Sequence, residues 1–186
     1  QNLLAKSGVG IFESTARVVD PHAVEVAGRR VTAKHLLIAT GAWPRMPAIP
    51  GIEHCISSNE AFELRELPHR ILVVGGGYIA VEFAGIFHGL GAKVTLSYRG
   101  EEILRGFDDD VRAHLHEEMA AKGIRILVKS EVASVEKLGD GSLVAHFHNR
   151  AFDAMPFDAV MFATGRTPST RGLGLAEAGV RLGAEG

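Results

Sequence analysis

The sequence predicts an α/β protein with a central parallel sheet and a β-meander, and three observations predict it. A short β-branched run, residues 71–74, leads straight into Gly75, Gly76 and Gly77, with a helical stretch and a second strand-like run behind them. An apolar run ending in Ala-Thr-Gly occurs twice, at residues 39–41 and 163–165, about 124 residues apart. The chain also opens with short β-prone runs punctuated by Asp20-Pro21 and Gly28. An apolar share of 46% over 186 residues is enough for a real core in one domain or two small ones.

The elements follow in order. Residues 8–12, 17–19, 23–26 and 30–32 predict a small antiparallel meander. Leu36, Leu37 and Ile38 predict a buried strand ending at Ala39-Thr40-Gly41, where a threonine hydroxyl and a bare glycine backbone could approach a ligand. Pro44, Pro47, Pro50 and Gly51 make a stiff connector. Ser57 and Glu60 have capping-box spacing ahead of a helix over residues 61–67, which Pro68 ends. Asp108, Asp109 and Asp110 cap and charge a helix running to Lys122 and closed by Gly123, with Val111, Leu115 and Met119 on one face. Residues 124–128, 132–138 and 143–147 read as strands, the last two joined by a turn at 139–142. Residues 160–162 lead into the second Ala-Thr-Gly. Each tripeptide follows an apolar strand and precedes a proline-containing loop, which marks the pair as two crossings between domains.

The glycine stretch carries the chemistry. Strand, glycine turn, helix over 78–90 and strand over 93–98 make a unit of about 30 residues that suits a dinucleotide. Gly75 permits the tight exit from the strand, Gly77 removes a side chain that would hold a pyrophosphate off the backbone, and Ala80 lets helix and strand pack closely. The helix amino end offers unpaired N–H groups and partial positive charge to an anion. A carboxylate about 20 residues past the glycines would bind the ribose 2′-hydroxyl of NADH, whereas arginines would take the 2′-phosphate of NADPH. Tyr98 stands at that point, Arg99 follows and Arg105 comes six residues later, so NADPH is expected. Glu101 and Glu102, between the arginines, weaken the local positive field.

Other classes are disfavoured. A net charge of −2 gives no reason to expect nucleic acid or an acidic membrane surface. Residues 71–91 are apolar, but three glycines, Glu82 and His88 make a poor membrane span. No stretch looks like a targeting segment. Cys55 is the single cysteine, so no disulfide can form within the chain, no CxxC zinc pattern exists, and a structural thiol is expected. His146 and His148 would share a strand face, as His114 and His116 would not share a helix face. With no third ligand, no metal site is expected.

GGGYIAVEFAGIFHGLGAKVTL followed by YRGEEILRGFDDDVR resembles the FAD-dependent pyridine nucleotide-disulfide oxidoreductases, and among them the glutathione reductases. KHLLIATGAWPRMPAIPGIEHCISSNEAF and DAVMFATGRTP are similar to the family's flanking segments in the same order, so the resemblance covers essentially the whole chain. It implies a Rossmann-like NAD(P)-binding domain inserted in an incomplete FAD-binding domain. Residues 1–41 would be the C-terminal part of the first FAD-domain segment, 42–165 the NADPH-binding domain and 166–186 the start of the return.

The resemblance also implies roles. Gly75, Gly76, Gly77, Ile79 and Ala80 would hold the pyrophosphate and adjoining ribose, and Arg99 with Arg105 the 2′-phosphate. Tyr78 would be a gate over the flavin that nicotinamide displaces, Glu82 would lie beside the carboxamide, and Gly165 with Arg166 would close the pocket. Thr15, Ala39, Thr40 and Gly41 would belong to the FAD side. The intact enzyme, a homodimer of the cytoplasm or of an organelle, would pass electrons from NADPH to FAD, to a redox disulfide and to glutathione disulfide. The chain itself would be an internal fragment, inactive alone, with the redox cysteines and dimer domain elsewhere. A related reductase with another substrate and a non-catalytic NADP(H)-binding module stay open.

Overall fold

A computed structural model describes residues 2–149 and 154–184; the outer ends of the first and last expected segments, at 1 and 185–186, lie outside the described residues. The chain forms two compact units, Gln1–Trp43 with Thr167–Gly186, and Pro44–Arg166.

The first unit holds a short helix α1 (Asn2–Lys6) and an antiparallel meander of β1 (Ala16–Asp20), β2 (Ala23–Val26) and β3 (Arg29–Thr32). Asp20 Oδ1 accepts from the His22 N–H at 2.7 Å in the first turn, and Ala27 and Gly28 both take positive φ in the second. Val18, Ala23, Val26 and Leu175 are buried, and Val18 N donates to the Leu173 carbonyl at 2.7 Å, which fixes the returning segment on β1.

Two strands expected in this unit do not form. Residues 8–12 are irregular, with Val9, Ile11 and Phe12 exposed, and residues 36–38 are irregular, with Leu37 88% exposed. A strand needs hydrogen-bonded neighbours, and a buried one needs cover as well, and among the described residues no strand lies alongside either run.

Short strands β4 (Ala42–Pro44) and β12 (Arg166–Pro168) mark where the chain passes between units. The second unit runs through α2 (Ser58–Ala61), β5 (Arg70–Val74), α3 (Tyr78–Gly89), β6 (Lys93–Ser97), α4 (Asp109–Ala121), β7 (Arg125–Leu127), β8 (Val132–Lys137), β9 (Leu143–Phe147), β10 (Met155–Phe157) and β11 (Ala159–Phe162). Strands β11, β5, β6 and β7 form a parallel sheet in that order, and β10, β9 and β8 a smaller antiparallel one.

Alternation along β5 explains the layering. Ile71 and Val73 pack with Ala80, Phe83, Ala84 and Phe87 of α3, which recur at the spacing of one helix face. Leu72 and Val74 point the other way, against Val135, Leu143, Ala145 and Phe147 of the antiparallel sheet. Ile71, Leu72 and Val73 have no accessible surface, and each such side chain contributes about 1.5–3 kcal/mol by burial.

Three local expectations need correction. The capping box at Ser57 and Glu60 is present, but α2 stops at Ala61, and Phe62, Leu64 and Leu67 are exposed. A helix this short persists only with packing; Phe62 has an edge contact with the Phe83 ring, but residues 63–67 are exposed and Pro68 steers Leu67 away from helical backbone. Asp108 sits at the cap position of α4 without a side-chain bond, and Val111 of its expected apolar face is exposed while Met119 is buried. β10 has no counterpart among the expected strands; its Pro156 is tolerated because the strand lies at a sheet edge, where a missing N–H costs no ladder bond.

Asp158 joins the starts of β5 and β11. Arg70 donates from its backbone N to Asp158 Oδ2 at 2.8 Å and from Nη2 to Oδ1 at 2.7 Å, and the hydrogen bond to the Arg70 side chain holds the Asp158 carboxyl below its usual value of 3.8. Stability from a lowered carboxyl is present above its unfolded value and is lost as pH falls through the folded one. Asp158→Asn is therefore expected to be less stable than the parent from about pH 7 down to about pH 4, with the gap closing below that. Urea unfolding at about pH 7 and at about pH 2 checks it, and a gap that persists at the lower pH would assign the effect to something other than the charge.

Candidate functional site

A cavity of about 820 Å³ opens at the carboxyl ends of β5, β6 and β11. In an open parallel sheet this is where ligands bind, in the crevice at which strand order reverses. Here β5 leads through α3 to β6 on one side and has β11 on the other, so the reversal falls at β5.

The glycine turn forms its floor. Gly75 has φ of 145° and its N–H donates to the Ser97 carbonyl at 2.9 Å; a Cβ there would lie 2.4 Å from the Ala163 carbonyl oxygen and 3.2 Å from the Ala80 Cβ. Gly76 is under the Tyr98 ring, which a Cβ would meet at 2.4 Å. Gly77 differs from both, since a Cβ on it would meet nothing within 4 Å and its φ of −85° suits any residue. The space beside Gly77 is therefore open for a ligand. Gly77 also caps α3 with no side-chain bond, so the leading N–H groups of a 12-residue helix are left to the cavity.

Arg99 and Arg105 both line this cavity, and among the described residues neither guanidinium has a hydrogen-bond or ion-pair partner. The glutamates between them are engaged elsewhere: Glu101 lies 3.1 Å from Lys129 Nζ, and Glu102 Oε1 lies 2.7 Å from His116 Nδ1. Tyr98 takes the place where a ribose-binding carboxylate would stand, packed on Gly76 and Gly100.

Of the other residues singled out, Tyr78, Ile79, Gly165 and Arg166 line the cavity. Tyr78 is 57% exposed as the first residue of α3. Ala80 is fully buried behind Gly75 and does not line it, and Glu82, one turn after Tyr78, is exposed outside it. In the first unit Thr15, Ala39, Thr40 and Gly41 are exposed and line no part of that unit's own cavity of about 310 Å³. The threonine hydroxyls of the two Ala-Thr-Gly turns donate to backbone, Thr40 to the Ser169 carbonyl at 2.8 Å and Thr164 to the Arg45 carbonyl at 3.0 Å. Their role in the turns is to hold chain against chain.

Sequence reasoning passed over Arg45, Ser97, Ser130, Glu131 and His148, all on the cavity wall. Ser97 and Ser130 are buried and bonded, with Ser97 Oγ 3.1 Å from both the Ser130 carbonyl and its Oγ. A polar residue closing an apolar strand, as Ser97 closes β6, was the available signal. Cys55 lies away from the cavity, donates to the Gly51 carbonyl at 3.6 Å, and has its thiol pushed up to about 12 by burial and then by Glu53. A thiol so raised stays protonated at neutral pH, which makes it a poor nucleophile. Among the described residues no group of histidine, cysteine and carboxylates is placed to hold a metal ion, and no helix is long and apolar enough to cross a membrane.

Comparison with known proteins places this geometry. The profile of the pyridine nucleotide-disulphide oxidoreductase family matches residues 1–186. Glutathione reductase of Burkholderia cepacia is 45% identical over 186 residues, covering 100% of this chain and 41% of that protein. Trypanothione reductase of Trypanosoma congolense is 50% identical over 156 residues, covering 82% of this chain and 31% of that protein. The solved HOCl-induced flavoprotein disulfide reductase RclA from Escherichia coli superposes with a TM-score of 0.84 at 28% identity, over 100% of this chain and 42% of that one. The chain thus spans roughly a third to two fifths of the length of these relatives.

The three glycines are expected to respond differently to alanine. Gly77→Ala should leave the unfolding free energy within about 1 kcal/mol of the parent while weakening dinucleotide binding about tenfold, because the new methyl group fills only ligand space. Gly75→Ala should cost about 3 kcal/mol or more. Denaturant unfolding and a dinucleotide titration on both variants separate the two effects, and a Gly77→Ala variant that binds normally would remove Gly77 from the site.

Proposed function

This chain belongs to the pyridine nucleotide-disulphide oxidoreductase family, and on that footing we propose that its second unit is the NADPH-binding part of a glutathione-disulfide reductase. The observation that carries the reading is the pair of unpartnered guanidinium groups, Arg99 and Arg105, on the wall of a glycine-floored cavity that has no carboxylate at Tyr98. A phosphate monoester with two negative charges is the ligand such a pair suits, through charge-assisted hydrogen bonds from two sides. The open position at Gly77 and the uncapped start of α3 fit a pyrophosphate next to it.

Each residue then has a task. Gly75, Gly76, Gly77 and Ile79 bring backbone to the pyrophosphate and ribose, with Ala80 serving from behind by letting α3 approach β5. Tyr78 covers the nicotinamide end as a movable ring, Glu82 steadies the carboxamide side, and Gly165 with Arg166 close the wall opposite. NADPH, when bound, would supply a hydride, and FAD would supply the redox chemistry between it and a disulfide. Thr15, Ala39, Thr40 and Gly41 contribute to the flavin side from the first unit, so that residues 1–41 and 166–186 belong to an FAD domain and 42–165 to the NADPH domain. The complete enzyme is a cytoplasmic homodimer that reduces glutathione disulfide. The trypanothione reductase relative, whose match covers 82% of this chain, supports a second reading in which the NADPH unit is the same and the disulfide differs.

Arg99→Ala combined with Arg105→Ala is expected to weaken NADPH binding on the order of 100-fold and NADH binding less than about threefold. Equal loss for both nucleotides, read by fluorescence titration, would remove the 2′-phosphate role. For the substrate, the full-length protein carrying this chain should turn over glutathione disulfide with a higher kcat/KM than trypanothione disulfide. The reverse order would favour the second reading.

A further inference from the structure

We propose, building on the NADPH reading above, that Arg112 is a positioning residue for nucleotide selectivity: from α4 it holds residues 99–107 so that Arg99 and Arg105 meet a 2′-phosphate. Arg112 does not line the cavity, so it acts only through this loop.

The loop presents two cations from a segment with little regular structure, and a loose segment would lose ordering entropy on binding. Its contacts remove that freedom. On the cavity side Leu104 N donates to the Gly76 carbonyl at 2.6 Å, and Ile103 is fully buried. On the far side Arg112 donates from Nε to the Ile103 carbonyl at 2.8 Å and from Nη2 to the Glu102 carbonyl at 3.1 Å, while Nη1 holds Asp109 at 2.6 Å. One planar fork thus grips two successive carbonyls just ahead of Arg105, a geometry lysine cannot reproduce.

A second contact from α4 reinforces it. Glu102 Oε1 accepts the Ile103 N–H at 2.8 Å and lies 2.7 Å from His116 Nδ1. A carboxylate only accepts, so His116 is the donor. These bonds place the Glu102 carboxylate toward α4, where it does not compete with a phosphate for the neighbouring arginines. Loop position and loop charge are therefore set together, by groups that touch neither ligand nor cavity.

The test titrates NADPH, NADH and adenosine 2′,5′-bisphosphate into the parent chain, Arg112→Met and Arg112→Lys, with thermal unfolding followed in parallel. Arg112→Met is expected to lose about tenfold in affinity for NADPH and the bisphosphate but less than about twofold for NADH. Arg112→Lys should behave like Arg112→Met, since charge without the fork is not enough. Unchanged NADPH affinity, or equal loss of NADPH and NADH, overturns the inference while a parental preference for NADPH leaves the broader reading standing. A parent without that preference overturns both. Should Arg112→Met fail to fold, Arg112→Lys carries the test alone, and an NADPH affinity within about twofold of the parent overturns the inference.

Discussion

The close approach at Gly75 is the constraint on which the rest of the second unit depends. With φ of 145° and a hypothetical Cβ only 2.4 Å from the Ala163 carbonyl, no other residue fits without displacing backbone. That approach brings the ends of β5 and β11 together, and the Ala163 N–H closes it by donating to the Val74 carbonyl at 2.7 Å. It also admits α3, whose Ala80 has its Cβ 3.2 Å from the same point. Strand order, helix position and the cavity at the strand ends follow from one glycine with no side chain. The two glycines after it serve other purposes: Gly76 makes room for Tyr98, and Gly77 leaves room for nothing in the protein.

The two Ala-Thr-Gly turns are a second organising device, and their chemistry is the same down to the atom. In the first unit Thr40 Oγ1 donates to the Ser169 carbonyl while Ser169 N donates to the Gly41 carbonyl at 2.9 Å. In the second unit Thr164 Oγ1 donates to the Arg45 carbonyl while Arg45 N donates to the Gly165 carbonyl, also at 2.9 Å. Arg45 and Ser169 each stand four residues beyond a turn glycine, so the two units use the same spacing. Threonine is suited to this because its hydroxyl both reaches backbone and donates. The tripeptide repeats because a bonding pattern repeats.

This bears on what could be read from the residues alone. The strand–glycine–helix–strand core was legible because each element carries its own signal: β-branched runs at 71–74 and 93–97, an apolar stripe through Ala80, Phe83, Ala84 and Phe87, and glycines where the backbone must turn. Arg99 and Arg105 were legible for the same reason, as charges at a fixed distance from that signal. Leu36, Leu37 and Ile38 misled because apolar composition states a preference for cover, and cover is not a local property; without a paired neighbour the run stays irregular. Phe62, Leu64 and Leu67 misled in the same way, since the capping box starts a helix but only packing extends it. Arg45, Ser130 and His148 reach the cavity from a connector, a strand exit and a hairpin that are brought there by tertiary structure, and nothing in their sequence neighbourhood announces it.

Charge placement shows why two glutamates can sit between two phosphate-binding arginines. A carboxylate beside a guanidinium ordinarily pairs with it, and the pair then has little left for a ligand. Here each glutamate is drawn off by a group from a different element, the Lys129 ammonium beyond β7 for Glu101 and the His116 ring on α4 for Glu102. The exposed Lys129 contact is screened and weak, whereas the His116 contact is half-buried and backed by the Ile103 N–H, so Glu102 is the more firmly held of the two. The residue most able to spoil the site, one position before the loop turns in to the core at Ile103, is thus the one tied down best. A run that reads as nearly neutral, YRGEEILR, becomes a locally positive surface because its acids and bases face different ways.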